Sequence, residues 1–265
     1  MDTERSTDML VEERYAIILK LIEERGKVTV PELMELLCTS KETIRRDLLF
    51  LNKQNKIKKV HGGAMKIESS LYEAKYSDRA RVNLKSKERI GKLAAGYIKD
   101  FDIIEIDVGT TALEVAKHIK GVQEIKVITY SIPALQVLIQ KKEKGDFTGE
   151  IIFIGGSVDC QRLMTSGPSL MEQLKPLSFD KAFIGVSGLS DHGPMTYNIN
   201  EGYVQKMLVN NSNEVFAIMD STKVQKRSLF HFCDFSKIHY LITDEFDMPD
   251  TIKRALKENN IKWIK

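Results

Sequence analysis

The sequence predicts an α/β protein, in which a small N-terminal domain of helices and a short hairpin precedes a larger, mostly parallel α/β domain. Apolar residues recur with helical spacing within residues 9–53, and a basic hairpin with two adjacent glycines follows. In the remainder, six short apolar runs alternate with helical stretches, as they do in parallel sheets covered by helices. We therefore expect domains at 1–66 and 86–265, joined by a linker at 67–85.

Composition and charge restrict the classes of protein to which the chain can belong. Of its 265 residues 42% are hydrophobic, and the net charge is +3. Its three cysteines show no C-x-x-C spacing, which argues against a zinc site or a disulfide framework and fits a cytoplasmic location. The N-terminus lacks the apolar core of a signal peptide. No apolar run approaches the ~18 residues of a membrane span, so we expect no membrane association.

The N-terminal domain begins with two predicted helices. Residues 9–24 carry apolar side chains on one helical face, and Gly26 follows as a stop signal. Val28 to Val30 form a run too short to stand alone, so we expect it to pair with the later hairpin. Pro31 then sits in the first turn of a second helix, where its missing N–H costs nothing.

A third predicted helix places its polar and apolar residues on different faces. Thr39 or Ser40 is expected to cap it, and Thr39 has capping-box spacing to Glu42. The apolar positions at i, i+4 and i+7 form one core-facing stripe, made of Ile44, Leu48 and Leu51. Thr43 and Arg46 lie away from that stripe, and Arg45 lies on its flank, so they are free to contact base edges and phosphates from a DNA groove. We expect Asp47 to orient an arginine, since phosphates would repel its carboxylate.

Positive charge is concentrated around this third helix and the hairpin that follows it. The segment from Lys41 to Lys66 contains eight basic and two acidic residues, a net charge of +6, whereas the net charge of the whole chain is only +3. Such a patch is the footprint expected of a surface that binds phosphates. Residues 57–66 form a basic wing beside the helix, with Gly62 and Gly63 in its tight turn.

Two short motifs in this region resemble the DNA-binding signature of DeoR-type bacterial transcriptional regulators. The first is the Thr-Ile-Arg-Arg-Asp-Leu run at 43–48, and the second is Val-His-Gly-Gly-Ala at 60–64. The resemblance implies a winged helix-turn-helix domain that binds double-stranded operator DNA. The residues expected to contact the DNA are Ser40, Lys41, Thr43, Arg45, Arg46, Lys58, Lys59 and His61.

The C-terminal domain is predicted to contain six buried strands and the helices between them. A first helix is expected from Ser86 to about Ile98, before the sheet begins. The strands are expected at 103–108, 126–129, 151–154, 182–186, 215–219 and 240–243. The helices between them are expected near 111–119, 132–142, 168–174, 201–211 and 250–259. Ligands of such sheets bind at the carboxyl ends of the strands.

Three of these strand ends carry residues suited to phosphate. The first strand runs through Asp107 and Gly109 into Thr110 and Thr111, where a new helix starts. Glycine lets the backbone approach an anion, and free N–H groups and hydroxyls donate hydrogen bonds to it; alternatively, a threonine here merely caps the helix. Gly155-Gly156 follows another strand, and Asp220-Ser221-Thr222-Lys223 follows a third.

These segments recur in the order seen in the DeoR-type sensor domain, which is similar in fold to ribose-5-phosphate isomerase and binds phosphorylated sugars as effectors. The resemblance implies effector contacts from Asp107, Gly109, Thr110, Thr111, Gly155, Gly156, Glu201 and Lys223. Thr110, Thr111 and Lys223 are expected to hold the phosphate, and Asp107 to bind sugar hydroxyls or hold the loop. The chain departs from the pattern at Val108, where the family usually has serine.

Three functions compete at this point. The first is a transcriptional regulator, expected to repress a sugar-metabolism operon, to respond to a phosphorylated sugar and to act as a homo-oligomer (dimer or tetramer). It needs no catalytic residue, metal or cofactor. The second is a sugar-phosphate isomerase with an attached DNA-binding domain, for which Asp107, Glu201 or Asp220 would be the base. The third is an architectural nucleic-acid-binding protein whose second domain has lost its function.

Overall fold

The computed structural model describes residues 10–54, 56–65 and 75–265. These residues fall into two compact units, one within Met1–Ser69 and the other within Ser70–Lys265. None of the helices in the described ranges is long and apolar enough to cross a membrane.

The smaller unit contains three helices and a three-stranded antiparallel sheet. Its elements are α1 (Val11–Arg25), β1 (Lys27–Thr29), α2 (Val30–Leu37), α3 (Lys41–Lys53), β2 (Lys58–Val60) and β3 (Gly63–Met65). The strand order is β1-β3-β2, so the short strand before α2 pairs with the wing as predicted. A single apolar cluster fills the unit, and it includes Ile18, Leu33, Ile44, Leu48 and Ile57.

The caps of the helices follow from local side chains. Thr29 caps α2 in a reciprocal box with Glu32, and Pro31 lies in its first turn. Ser40 caps α3 by accepting from the Thr43 N–H at 3.3 Å. The alternative cap, Thr39 with Glu42, is wrong: the Thr39 hydroxyl donates to the Leu37 carbonyl at 2.8 Å.

The larger unit alternates strands and helices around one seven-stranded sheet. Its helices are α4 (Tyr76–Arg81), α5 (Leu84–Ala95), α6 (Thr110–His118), α7 (Ile132–Glu143), α8 (Pro168–Leu174), α9 (Ile199–Asn210) and α10 (Asp250–Glu258). The sheet consists of β4 (Ile103–Ile106), β5 (Val122–Thr129), β6 (Phe147–Phe153), β9 (Phe179–Gly185), β12 (Ser212–Ile218), β14 (Tyr240–Ile242) and β15 (Lys262–Ile264). Two short hairpins and a two-residue strand complete the unit: β7 (Ser157–Asp159), β8 (Met164–Ser166), β10 (Gly188–Ser190), β11 (Gly193–Thr196) and β13 (Phe230–His231).

The seven strands are all parallel, in the order β15-β14-β12-β9-β4-β5-β6. Because successive side chains of a strand face opposite sides, two apolar cores form. Phe183 and Phe216 pack with α5, α6 and α7 on one face. Ile184 and Ala217 pack with α8, α9 and α10 on the other. The rings of Phe183 and Phe216 stack across neighbouring strands with centroids 4.8 Å apart, an aromatic pair worth about 0.5–1.5 kcal/mol beyond its buried area.

The strands that follow β4 in the chain lie on both sides of it in the sheet. The chain passes from β4 to β5 and β6 on one side, and then returns to β9, β12, β14 and β15 on the other. The reversal lies between β4 and β9. Ligands of open parallel sheets bind outside the strand ends at such a switch point.

All six strands and the five helices expected between them are confirmed within a few residues, and two expectations about the segment before the sheet need correction. Helix α5 begins at Leu84 instead of Ser86. The range 67–85, which was expected to be a linker, contains helix α4, and Tyr76 of this helix is buried. The polar composition of the segment gave no apolar pattern that would predict a helix. Residues 1–9, 55 and 66–74, which include Lys66 of the basic patch, lie outside the described residues. The edge strand β15 was not expected from the sequence.

Candidate nucleic-acid interface and phosphate site

Helix α3 turns its apolar stripe inward and its basic residues outward. Ile44, Leu48 and Leu51 are all 0% exposed. Lys41, Arg45 and Arg46 are exposed, and Thr43 is half-buried. Arg45 is drawn toward Glu42 only weakly, at 4.0 Å. The cap residue Ser40 and Thr43 share a hydrogen bond of 2.9 Å between their hydroxyls, so these two hydroxyls fix the start of the helix that carries the arginines.

The wing presents its basic side chains beside this helix. Lys58, Lys59 and His61 are exposed. Gly62 has φ +83°, which favours glycine. A Cβ at Gly63 would lie 2.2 Å from the carbonyl oxygen of Val28, so β3 can approach β1 only if this residue is glycine. The structure therefore explains why both positions of the motif are occupied by glycine.

Hydrogen bonds from backbone N–H groups connect the wing with helices α2 and α3. The Asn52 side chain of α3 accepts from the Lys59 N–H at 2.7 Å. The Val30 N–H at the start of α2 donates to the Gly62 carbonyl at 2.8 Å. Because β1 also pairs with β3, the wing and the helices are joined at several points. The smaller unit therefore presents its basic residues on a rigid frame.

A cleft of about 930 Å³ lies between the wing, α2 and the first turn of α3. Its basic lining residues are Lys41, Arg45, Lys59 and His61. Arginine and lysine neutralise phosphates, and arginine also pairs with guanine through two hydrogen bonds. The cleft suits a DNA backbone strand that passes between a helix in the major groove and the wing beside it.

The orientation of α3 depends on a buried ion pair with α1. The Arg14 guanidinium donates to both carboxylate oxygens of Asp47, at 2.8 and 3.1 Å. The side chains are only 12% and 4% exposed. Hydrogen bonding to this carboxylate raises the pKa of Arg14. Asp47 thus orients an arginine, as predicted, and that arginine lies 33 positions earlier in the chain.

We expect Arg46→Ala to lower affinity for the operator about tenfold or more, because a bidentate base contact is worth about 1–3 kcal/mol of discrimination. Arg45→Ala should act in the same direction.

Lys58→Ala or Lys59→Ala should instead weaken binding to operator and random DNA alike and flatten the salt dependence, since phosphate contacts carry no sequence information. Band-shift titrations on both DNAs at several salt concentrations make the distinction.

A matched control for these variants is Lys20→Ala, which removes an exposed charge from α1 and should leave both affinities unchanged. Wild-type operator affinity in both arginine variants would remove these side chains from the interface.

The second site lies at the switch point, where β4 leads into α6. The helix is capped by the backbone at Gly109, which has φ +119°. Thr110 and Thr111 are only 7% and 8% exposed, and neither hydroxyl has a hydrogen-bond partner among the described residues. The alternative that a threonine side chain caps α6 is therefore wrong. First-turn N–H groups and two threonine hydroxyls form a donor set suited to an oxyanion.

Asp107 holds the two strands at the switch point together. Its carboxylate accepts from the Gly185 N–H of β9 at 3.0 Å, from Gln205 Nε2 of α9 at 2.9 Å and from the Tyr130 hydroxyl. The side chain is 0% exposed, and burial raises its pKa, although these hydrogen bonds oppose the shift. With three donors already bound, Asp107 fits the role of holding the loop better than that of binding a sugar.

Two lysines approach this edge of the sheet from other elements. Lys223 lies in the short turn after β12 and is half-buried, and burial lowers its pKa. Lys87 of α5 is 4% exposed. Burial lowers its pKa to about 8, although the neighbouring Asp220 opposes the shift. Because α5 leads into β4 and α6 leaves it, both helices start at the carboxyl end of the sheet.

Glu201 lies in the first turn of α9, the helix whose Gln205 contacts Asp107. It is 6% exposed, accepts from the Thr196 hydroxyl at 3.3 Å and lies 3.9 Å from the Arg162 guanidinium. Burial is the main cause of the raised pKa of Tyr130, and the Glu201 charge adds to it.

Gly155 and Gly156 have different surroundings from the other predicted effector residues. A Cβ at Gly156 would lie 2.6 Å from the Ser166 carbonyl oxygen, so the close approach of β8 requires glycine there. The Gly155 carbonyl accepts from Gln173 of α8 at 3.3 Å. In the described residues these contacts lead to α8 and β8, and none leads to the first turn of α6. Their role in effector binding stays a prediction.

The structure adds four residues to this site that the sequence did not single out: Asn83, Lys87, Tyr130 and Gln205. Tyr130 directly follows β5, so its place at a strand end was a usable signal. The others come from helices or from the connection between α4 and α5, and no local pattern marks them.

Comparison with known proteins gives matches to both units. The DeoR-like helix-turn-helix domain matches residues 14–70, and the DeoR C terminal sensor domain matches residues 82–245. The HTH-type transcriptional repressor GlcR of Bacillus subtilis is 34% identical over 236 residues, which is 89% of each chain. The lactose phosphotransferase system repressor of Staphylococcus epidermidis is 30% identical over 237 residues, covering 89% of this chain and 93% of that one. A solved ribose 5-phosphate isomerase from Methanocaldococcus jannaschii aligns with a TM-score of 0.39 at 16% identity, covering 54% of this chain and 56% of that chain.

Proposed function

We propose that this chain, which belongs to the DeoR family of transcriptional regulators, represses a sugar-metabolism operon and leaves its operator when a phosphorylated sugar binds the larger unit. Relatives named as repressors, one of them of a lactose phosphotransferase system, support the direction of control and the link to sugar. The residues of the smaller unit that contact the operator are, in this proposal, the exposed ones of α3 and the wing.

One observation carries the choice of effector. At the switch point of the sheet, the first turn of α6 presents backbone N–H groups and the hydroxyls of Thr110 and Thr111. Lys223 and Lys87 bring positive charge to the same edge. This combination of donors and cations favours a phosphate, and the neighbouring carboxylate of Glu201 and the Arg162 guanidinium suit sugar hydroxyls.

The effector acts by binding two states of the regulator with different affinities. A ligand shifts an equilibrium only through such a difference. Operators with two-fold symmetry are bound by two reading helices at a fixed half-site spacing, so we propose a homo-oligomer, a dimer or a tetramer. The effector favours the arrangement in which that spacing no longer fits the operator.

A thermal-shift panel tests the effector class. The panel contains glucose 6-phosphate, fructose 6-phosphate and ribose 5-phosphate, with the unphosphorylated sugars and inorganic phosphate as controls. A ligand at 100 times its Kd stabilises the folded state by about 2.7 kcal/mol, so a true effector raises the Tm in a dose-dependent way. Operator titrations with and without the active compound then show whether it releases DNA. A panel without any stabilising phosphate ester would contradict the proposal.

Thr110→Ala and Lys223→Ala should each abolish or strongly weaken the response to the effector while operator affinity without effector stays at the wild-type value. The reason is that the phosphate loses a donor or a cation, whereas the residues that contact DNA belong to the other unit. The measurement is operator affinity with and without the effector for each variant. Thr148→Ala, at the opposite end of the sheet in β6, serves as control. Two variants that still respond at wild-type concentrations would place the phosphate elsewhere.

Effector affinity should fall as the pH rises from 7 to 9. Lys87 has a pKa lowered to about 8 by burial, and the pKa of Lys223 is lowered in the same direction. Above a pKa of about 8 Lys87 loses the charge that attracts the phosphate, while a phosphate monoester with a second pKa of about 6 is already dianionic. Titration calorimetry at pH 7, 8 and 9 checks this, and affinity that is constant over this range would contradict it.

We further propose that the larger unit binds the sugar phosphate without converting it. A general base must be within reach of the substrate proton. Asp107 is 0% exposed and bound to three donors, and Asp220 is 2% exposed and accepts from Asn83 and Thr222. The third candidate base, Glu201, is 6% exposed, accepts from the Thr196 hydroxyl and lies 3.9 Å from the Arg162 guanidinium. A coupled isomerase assay with the stabilising compound tests this, and turnover above the uncatalysed rate would overturn it.

A further inference from the structure

The connection between α4 and α5 makes a direct contact with the loop that follows β12. Asn83, which lies between the two helices, has φ +53°, a left-handed conformation that asparagine tolerates better than most residues. Its side-chain amide donates to Asp220 Oδ1 at 3.2 Å. The two residues are 137 positions apart, so the contact joins separate parts of the larger unit.

Asp220 in turn shapes the turn that carries Lys223. The same oxygen, Asp220 Oδ1, accepts from the Thr222 N–H at 3.1 Å and from the Thr222 hydroxyl. The Lys223 N–H donates to the Asp220 carbonyl at 3.1 Å. The side chain that receives Asn83 therefore also fixes the loop from which the candidate phosphate lysine projects.

Lys87 fastens the same connection from the other side. Its buried ammonium donates to the carbonyls of Arg79, in α4, and Val82, at 2.5 and 2.7 Å. Asp220, Lys223, Arg79 and Glu114 are the charged groups that act on this ammonium. The middle of α5 packs closely on α6: a Cβ at Gly91 would lie 2.4 Å from the backbone of Glu114. The connection after α4 is thus bound to the Asp220–Lys223 loop through Asn83, and α4 itself is bound to α5, the helix that packs on α6.

We infer that Asn83 and Lys87 are positioning residues of the effector site, which tie α4 to the Asp220–Lys223 loop so that a phosphate held by Lys223 and the first turn of α6 also immobilises α4. In the chain, α4 is the first described helix after the smaller unit. This inference depends on the sugar-phosphate site proposed above and adds the route by which its occupation reaches the segment leading to the DNA-binding unit.

The experiment measures amide hydrogen exchange of the full-length protein with and without inorganic phosphate and glucose 6-phosphate. The main variant is Asn83→Gly, which keeps the left-handed backbone accessible and removes the amide that reaches Asp220. Asn83→Asp places a like charge against Asp220. The double variant Asn83→Asp with Asp220→Asn exchanges the two groups and restores a carboxylate–amide pair. Asn210→Ala, at the exposed end of α9, is the matched control.

In the wild type and in Asn210→Ala, the anion should slow exchange at residues 110–113 and also at 76–87. In Asn83→Gly and Asn83→Asp, slowing at 110–113 should persist, while slowing at 76–87 is lost. The double variant should regain it, which a merely structural disturbance at position 83 would not. Operator titrations should show the same pattern: unchanged affinity without effector, and about a tenfold higher effector concentration for half-release in Asn83→Gly, the effect of losing one charge-assisted hydrogen bond.

Two outcomes separate this inference from the proposed function. Slowing at 110–113 in the wild type without slowing at 76–87, or the same slowing at 76–87 in Asn83→Gly as in the wild type, overturns the positioning role and leaves the phosphate site intact. No slowing at either segment with any sugar phosphate of the panel overturns the proposed site, and the inference with it.

Discussion

Asp47→Ala is expected to unfold the smaller unit and abolish operator binding, while the larger unit keeps its own melting transition. The substitution leaves the Arg14 guanidinium buried without the carboxylate that binds it at 2.8 and 3.1 Å. Removing one partner of a buried ion pair costs about 3–5 kcal/mol. A unit of about 60 residues is stable by only about 3–9 kcal/mol, so the loss is comparable with the whole stability. Calorimetry of the full-length protein, in which we expect each unit to melt in its own transition, is the measurement.

Two further variants make this result interpretable. Glu42→Ala removes an exposed carboxylate from the same helix and should leave the transition in place. The double variant Arg14→Met with Asp47→Leu replaces the pair by apolar side chains, which is often neutral or stabilising, so folding should return. A folded, DNA-binding Asp47→Ala variant would show that the ion pair does not hold α3.

Asp107→Ala is expected to destabilise the larger unit and to remove the effector response. The substitution removes the acceptor of the Tyr130 hydroxyl and of the Gly185 N–H, and leaves the Gln205 amide with the Gly185 carbonyl as its remaining acceptor. Each unsatisfied buried donor costs about 1–3 kcal/mol, and in a domain of this size 1 kcal/mol shifts the Tm by about 2–4 °C. We therefore expect the Tm of this unit to fall by on the order of 10 °C, measured by calorimetry.

The comparison that interprets this loss is Asp234→Ala, which removes a carboxylate that is 80% exposed in the same unit and should shift the Tm by less than about 1–2 °C. Asp107→Asn keeps one acceptor oxygen and should fall between the two. If Asp107→Ala melted with the wild type, the carboxylate would not join the strands at the switch point.

Local patterns were sufficient to predict most of the secondary structure. Strand β12 ends in an apolar run at 215–218 and β14 is apolar throughout, and the stripe of Ile44, Leu48 and Leu51 identified α3. The edge strand β15 was missed because it has only three residues, Lys262–Ile264, and faces solvent on one side. Helix α4 was missed because it has six residues, of which only Tyr76 is buried.

The candidate sites were predictable only where their residues are close in sequence. The Gly109-Thr110-Thr111 turn and the Val-His-Gly-Gly-Ala wing are contiguous, and their residue types indicate their chemistry. The partners of Asp107 come from β5, β9 and α9, and the contact of Asn83 with Asp220 spans 137 positions. Such contacts depend on strand order, which a single sequence does not encode in any local pattern.

The bonds that join the wing to α2 and α3 limit what regulation can change. Three contacts hold the candidate DNA-binding surface together. They are the Asn52–Lys59 hydrogen bond, the Val30–Gly62 hydrogen bond and the pairing of β1 with β3. We therefore expect that an effector bound in the other unit does not move the wing relative to α2 and α3. It follows that the proposed effector leaves the ranking of half-site sequences untouched and acts on operator occupancy only through the spacing of the two half-sites.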